Sequence, residues 1–378
     1  MLNKAAISEA RQPRGIVKVQ GRSFDGTLAP SIRLDGWIKW EVDNNVAYEA
    51  DTFRVEFALS SLPDAFNDYW WSTQQEIFIE IFAGFPNDPD NFRQAELQSF
   101  TYGRVDDIDF DPVARTMTVS GRDLTAAMID AKTSETFQNL KSSDIATQIA
   151  LRHGLTPVVT ATQKFTGKYY NIDQTRSNQQ RSEWDLLTAL AGEEQFLVYV
   201  KGRELHFEPA PAVDADPYVL KWEKASDSPF AFNGKSIHFS RSLNLARGVV
   251  VTVQSISPKT GKKVKVIFPA KAASIKPGQS KANAQQYSFT FAHLTYEKAL
   301  QKAQQLHADI SQHEVRLDAS LPADNVLQVN NLIKVIGTGT SFDQIYYPES
   351  IKREMDISTG YSMHIHAKNH SPQSVVPL

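Results

Sequence analysis

The end of this chain repeats the pattern of its beginning. FRVEFALSSLP at Phe53 to Pro63 lines up with HEVRLDASLP at His313 to Pro322, and QQEIFIEIFAG at Gln74 to Gly84 with QVNNLIKVIGTG at Gln328 to Gly339. TYGRVDDIDFDPVARTMTVSG, from Thr101 to Gly121, has a counterpart in YYPESIKREMDISTGYSMHIHA, from Tyr346 to Ala367. In each copy a strand ends in Leu-Pro, an apolar strand closes on Gly, and two more strands follow. Period-2 burial fixes which face of a strand looks inward, so segments with matching patterns are expected to fold alike. The expectation is a duplicated β-domain. Phe53 to Leu59 should fall on the strand of Val315 to Ala319, with Leu62-Pro63 near Leu321-Pro322. Two unrelated strand-rich segments are the competing reading.

The first 123 residues read as short strands separated by Asp25-Gly26, Asp43-Asn44-Asn45, the run from Pro86 to Asp90, and Asp111-Pro112. That pattern points to an antiparallel barrel or sandwich. The period then changes. Ser142-Ser143-Asp144 opens a helix with Ile145, Ala146, Ile149 and Ala150 on one face and Gly154 at its end. A second helix starts at Ser182, an N-cap with Asp185 three residues on, and buries Trp184, Leu187, Leu190 and Ala191. A hairpin turning at Lys201-Gly202-Arg203 follows, and a linker runs from Ala210 to Pro217. Strands resume at Ile237 to Phe239, Val249 to Val253 and Val264 to Phe268. A helix capped by Thr295 then carries Tyr296, Ala299, Leu300, Ala303, Leu306 and Ile310 as an apolar stripe. The class is mainly β with a smaller α+β part: two similar antiparallel β-barrel domains, 1–123 and 213–378, flank a small α+β domain, 124–212. The second barrel carries a helical insertion around 257–312.

A chain of 378 residues holds two or three domains of ordinary size. With no cysteine, disulfide frameworks, thiolate metal sites and cysteine nucleophiles are excluded, and assembly in a reducing cytoplasm fits. Against 43 acidic residues stand 40 basic ones, with none of the surplus expected of a phosphate-gripping protein. No apolar run approaches the roughly 18 residues of a membrane span. The leading MLNKAAISEARQPRG lacks the apolar core of a secretory signal, so neither membrane insertion nor export by that route is expected.

Two stretches carry a family likeness. SGRDLTAAMIDAKTSETFQNLKSSDIATQIALRHGL, from Ser120 to Leu155, resembles phage late-control D-type tail proteins, as does RSEWDLLTALAGEEQFLVYVKGRELHFEP, from Arg181 to Pro209. The shared features are a strand ending in Gly121-Arg122-Asp123, a capped helix ending near Gly-Leu, and a helix bearing Trp184-Asp185-Leu186. A hairpin of the form Leu-Val-Tyr-Val, Gly, Leu-x-Phe-x-Pro completes the pattern. The β-domains agree with the family in layout only. The resemblance implies a baseplate hub of Mu-like contractile phages, with a fold shared by type VI secretion spike proteins. It implies a homotrimer whose six barrels match a sixfold tail tube to a threefold spike. The implied partners are tube protein, central spike and tape-measure protein, in a virion tail baseplate assembled in the bacterial host cytoplasm. DNA would pass through the channel without specific binding.

Other constellations have mostly structural readings. Asp107, Asp109 and Asp111 share a strand face that would suit a hard cation, or form a solvated face entering a turn. His364 and His366 project from one side of a strand, with His370 nearby, as a candidate imidazole pair or a polar surface strand. His307 and His313 show no ligand spacing. Tyr69, Trp70 and Trp71 with Phe66 form either a sugar-stacking platform or barrel core and subunit interface. Gly121 is expected to relax the backbone at a strand end, with Arg122 and Asp123 pairing or capping the next helix. No Gly-x-Ser-x-Gly elbow, His-Glu-x-x-His helix or phosphate loop occurs, and Lys259 to Lys263 reads as a charged hairpin turn. A structural, non-enzymatic protein without cofactor is the expectation. A tail-associated cell-wall or polysaccharide hydrolase or sugar-binding module is the alternative.

Overall fold

The computed structural model describes residues 12–46, 48–133, 137, 140–163, 165–166, 181–194, 196–209, 216–223, 231–243, 249–256, 261, 263–269, 285–291, 294–311 and 315–369. Residues 210–215 of the expected linker, most of the Lys259 to Lys263 turn, His313 and His370 lie outside them.

The first β-unit comprises β1 (Arg14–Arg22), β2 (Ile32–Leu34), β3 (Trp37–Asn45), β4 (Thr52–Ala58), the short helix α1 (Asp68–Thr73), β5 (Glu76–Gly84), β6 (Gln98–Asp111) and β7 (Thr116–Asp123). The middle unit follows. It holds α2 (Thr125–Asp130), β8 (Lys132–Thr133), β9 (Leu140–Lys141), α3 (Ser142–Arg152), β10 (Thr156–Val159), β11 (Phe165–Thr166), β12 (Arg181–Ser182), α4 (Glu183–Glu194), β13 (Phe196–Lys201) and β14 (Glu204–Pro209). The last unit contains β15 (Tyr218–Glu223), β16 (Ala231–Phe232), β17 (Ser236–Arg241), β18 (Val249–Ile256), β19 (Lys263–Phe268), β20 (Gln285–Thr290), α5 (Tyr296–Ser311), β21 (Val315–Pro322), β22 (Ile333–Ile336), β23 (Ile345–Asp356) and β24 (Gly360–Lys368).

Strand order makes the duplication concrete. The first ladder runs β3-β4-β7-β6-β5-β1-β2, and the second runs β17-β21-β24-β23-β22-β15-β16. Each pairing has its equivalent. One differs in direction: β1 lies antiparallel to β5, whereas β15 lies parallel to β22. The long strand carries a bulge in both copies, after Val105 and after Pro348. Both long hairpins also turn on an aspartate. Asp111 accepts hydrogen bonds from the backbone N–H groups of Val113 and Ala114, and Asp356 accepts them from Ser358 and Thr359.

Phe53 thus lies in the strand equivalent to that of Val315, but the Leu-Pro pairs do not coincide. Leu62-Pro63 follows β4 into a turn, whereas Leu321 and Pro322 are still laddered to Met363 and Ser362. Leu62 packs on the core from that turn, so the same two letters serve different places.

A second difference concerns the insertion. It separates β17 from β21, where the first copy has only the loop between β3 and β4. Among the described residues β18 pairs with β19 and β20 alone, so the inserted unit starts before residue 257 and owns a small core of Val249, Val251, Val253, Val266, Ala299 and Ala303. Tyr296, expected on the buried stripe of α5, is 62% exposed; the stripe begins at Ala299.

Burial follows the period of each element. β4 and β21 alternate buried and open side chains, while α3 buries Ile145, Ala146, Ile149 and Ala150 at helical spacing. One apolar core serves both ladders, running from Val17, Phe57 and Ile79 through Trp40 and Val42 to Leu317, Ile351 and Ile365. The middle unit has its own core around Met128, Ile149, Trp184 and Phe207. Among the described residues, no helix is long and apolar enough to cross a membrane.

Close packing where β6 meets β7 rests on two glycines. A Cβ on Gly121 would sit 2.1 Å from the Arg104 carbonyl oxygen, and one on Gly103 would sit 2.3 Å from that of Arg122. The ring of Phe53 lies against both positions. Gly121 therefore serves close approach within β7, and its φ is not positive. Gly121→Ala should destabilise the fold by about 1–3 kcal/mol, because the clash is with backbone. Gly192→Ala, in α4 with nothing near its Cβ, should stabilise it by about 0.5–1 kcal/mol. Urea unfolding of the two variants checks the opposite signs.

Candidate functional site

Where the two ladders meet, β3 pairs antiparallel with β23, from Asn45 opposite Ser350 to Lys39 opposite Asp356. This seam turns two seven-stranded ladders into one fourteen-stranded sheet. Its outward face carries crossed ion pairs, Lys352 to Glu41 at 2.6 Å and Lys39 to Glu354 at 3.3 Å. Its inward face buries Trp40, Val42 and Met355, and with them the whole side chain of Arg353, 2% exposed.

Arg353 is held by main-chain oxygen. Its Nε donates to the Asp324 carbonyl at 3.1 Å and its Nη2 to the Leu327 carbonyl, while the guanidinium lies over the Phe100 ring. Those carbonyls are set by Asp324 itself, whose carboxylate accepts from the N–H groups of Val326 and Leu327 and from the Tyr218 hydroxyl. A guanidinium keeps its charge under burial and offers a rigid fork, so it can tie β23, a loop of the second ladder and β6 of the first together.

From Arg353 a polar chain runs to the middle unit. Nη1 reaches Asn44 Oδ1 at 3.5 Å, and Asn44 Nδ2 donates to Asp51 Oδ2 at 2.7 Å and to the Phe100 carbonyl. Asp51 also accepts from the Asn45 N–H, and its own carbonyl accepts from the Asp123 N–H at 2.9 Å. Asp123 then accepts from the N–H and the hydroxyl of Thr125 at the start of α2. Burial pushes the Asp51 carboxyl up to about 7. Burial, then the charge of Asp51, raises Asp123 well above the usual carboxylate range.

The motifs that carry the resemblance stand at this junction. Arg122 pairs with Asp106 through Nε at 2.6 Å and Nη2 at 3.2 Å, and Arg104 and Arg122 share Asp130 of α2. Arg122 thus fastens β6 to β7 and to α2, while Asp123 engages α2 through Thr125. Trp184 donates its indole N–H to the Tyr48 carbonyl at 2.8 Å. Tyr48, on the loop between β3 and β4, donates its N–H to the Val198 carbonyl and its hydroxyl to the Phe196 carbonyl. It holds φ +91, a strained setting for a tyrosine that these three bonds fix. Asp185 and Ser182 form a reciprocal cap on α4, and Leu186 packs on the middle core beside the buried Leu187. At the head of α4, Glu183 is buried and accepts from Arg152 and His153.

Other sequence candidates are placed elsewhere. Trp71 is 1% exposed, donates to the Phe66 carbonyl and packs edge-on to Trp70, so it closes the first ladder's core and offers no surface to a partner or a sugar. Trp70 is half-buried against Phe66 and Gly21; only Tyr69 faces outward. His366 pairs with Asp318, and His364 lies exposed two residues away. Among the described residues no group of three His, Cys, Asp or Glu side chains is set to hold a metal ion. Arg353, Asp51 and Tyr48 carry no motif in the sequence, and Asp43-Asn44-Asn45, expected as a turn, lies within β3 because it ladders with Lys352 to Ser350. Alternation did mark Arg353, since Ile351, Arg353 and Met355 share a face.

Two measurements test the chain of contacts. Arg353→Met removes the donors for two buried carbonyls and should cost about 2–4 kcal/mol in urea unfolding. The raised carboxyls have a defined sign: folded Asp51 and Asp123 keep protons that the unfolded chain releases. Their contribution is complete below about pH 4 and falls as pH rises through about 7. Asp123→Asn should flatten that decline; an unchanged slope would remove the pair as its source.

No family model matches the sequence, and no curated protein matches it. Solved structures do. The tail protein of Neisseria meningitidis MC58 is 15% identical, with 96% of this chain and 99% of that one aligned at TM-score 0.65. The 43 kDa tail protein of prophage MuSo2 from Shewanella oneidensis is 16% identical, with 95% and 99% aligned at TM-score 0.64. A chain of the Francisella PdpA-VgrG complex is 11% identical, with 97% of this chain and 59% of that one aligned at TM-score 0.54. This chain therefore has the fold of phage tail proteins, which extends to the VgrG-containing complex.

Proposed function

We propose that the chain is a structural subunit of a phage tail: the baseplate hub, a homotrimeric ring that adapts a sixfold tail tube to a threefold spike. The carrying observation is the repeated seven-strand ladder joined edge to edge in one sheet. One chain supplies two near-equivalent units, so three chains supply six, and a threefold ring meets both symmetries. The tail-protein fold supports the setting, and VgrG in the neighbouring complex supports contact with a spike.

The mechanism is geometric. The ring contacts tube protein on one side and spike on the other, with the tape-measure end inside, and holds the tip closed until the spike leaves. DNA then passes through a channel that does not bind it, in keeping with a formal net charge of −3. The protein acts in the virion tail baseplate after assembly in the host cytoplasm. Burial of Trp71 removes half of the aromatic pair on which a sugar-binding or hydrolytic reading would rest.

Light scattering of the concentrated protein should give three times the 42.3 kDa chain mass, with dissociation to monomer on dilution. A persistent dimer or hexamer would contradict the reading.

A further inference from the structure

We propose that neighbouring chains join by antiparallel pairing of β17 of one subunit with the outer half of β6 of the next, setting Ile237 opposite Ile108 and His238 opposite Asp107. The inference rests on the ring reading and supplies its interface.

β6 and β23 are equivalent strands with unequal surroundings. β23 is flanked by β24 on one side and, over Ser350 to Asp356, by β3 on the other. β6 is flanked by β7 along its outer half, but β5 stops at Arg104. From Val105 to Asp111 its second edge meets no strand among the described residues. The inward side chains there are Ile108 and Phe110, 41% and 45% exposed. Their equivalents, Arg353 and Met355, are 2% and 5% exposed, covered by Trp40 and Val42 of β3. β6 is thus β23 without its β3.

The missing strand has a counterpart in the second ladder. β17 pairs with β21 as β3 pairs with β4, and its other edge meets no strand among the described residues. Within one chain, the first copy lends β3 to the second. Among the described residues of one chain β17 has no such acceptor, and the first copy of another chain supplies one.

The register transfers through shared rows. Asp111 and Asp356 hold the same turn, which aligns Ile108 with Arg353 and Gly121 with Ile365. The row Val42, Phe53, Gly121 then corresponds to Ile237, Ala319, Ile365. The in-chain pair Val42 and Arg353 becomes Ile237 and Ile108 between chains. Asp43 and Lys352 become His238 and Asp107, and Glu41 and Glu354 become Ser236 and Asp109.

Charge favours this pairing over its alternatives. The β6 edge carries Asp107, Asp109 and Asp111, with Asp106 already paired to Arg122; the segment from Asn233 to Ser242 carries Lys235, His238 and Arg241 and no acid. Two β6 edges repel each other, which guards the exposed strand against self-pairing. A β17 edge attracts it. The contact is therefore head to tail, the kind that closes rings.

The chain has no cysteine, so introduced pairs report without background. Double variants Ile108→Cys with Ile237→Cys, and Asp107→Cys with His238→Cys, are oxidised as concentrated full-length protein. Adjacent opposed pairs alternate between hydrogen-bonded and non-hydrogen-bonded, so one of the two has the shorter Cα spacing suited to a disulfide. At least one should give covalent trimers, while Val113→Cys with Ile237→Cys, displaced along the strand, should not. Ile108→Asp, at an exposed site in the single chain, should leave thermal unfolding of the monomer unchanged and weaken association about tenfold or more. Trimer by light scattering without matched cross-links, or with equal cross-linking of the displaced pair, would overturn the pairing and leave the ring. Monomer at every concentration would overturn both.

Discussion

The antiparallel pairing of β3 with β23 is the contact on which the rest of the molecule depends. Without it the chain would hold two incomplete ladders, each with an open inner edge and half a core. With it, Trp40 and Val42 of the first copy cover Met355 and Arg353 of the second, and one apolar core runs through both. The buried Arg353 is a poor stabiliser taken alone, because moving a guanidinium out of water is expensive. Its value lies in direction. Carbonyls of the 324–327 loop, the Phe100 ring and Asn44 surround it in a single arrangement, so the two copies can lock at one register only.

The same polar chain reaches the middle unit, whose position between the copies is otherwise set by the loop bearing Tyr48 and by α2. Arg104, Arg122, Asp106 and Asp130 are all partly exposed, so each ion pair contributes little on its own, about 0–1 kcal/mol. The bonds from Thr125 to Asp123 are made away from water and hold the geometry more firmly, and the part-buried bond from Trp184 to Tyr48 adds to them. In the proposed ring this rigidity would matter, because symmetry would be passed on through angles between units and small errors would accumulate around the circle.

Local signals were the most legible part of the sequence. Ser182 and Asp185 cap α4 because the spacing of a capping box is contained within four residues, and the buried face of α3 follows from helical period alone. The alternation of Ile351, Arg353 and Met355 marks an inward face but carries no hint of the partners of Arg353, which come from a loop some 26 to 29 residues upstream. Alternation also tells which side of a strand is buried without naming the sheet it joins, and so β18 was assigned to the barrel when it belongs to the inserted unit. The Leu-Pro pairs misled because Leu62 is apolar for packing from a turn and Leu321 for packing from a ladder. Adjacent aromatics on the short helix α1 point different ways, so Tyr69, Trp70 and Trp71 have three different exposures. Tyr48 left no mark, since nothing in its neighbours announces a positive φ.

Electron cryo-microscopy of the assembled protein bears most directly on the claim that duplicated ladders build a threefold ring. The expected image is three chains around an open hole, with six ladder units at near-equal angles and β-sheet running unbroken across chain boundaries. A closed twofold dimer would contradict it, as would a ring in which chains touch through their middle units while the outer half of β6 stays bare.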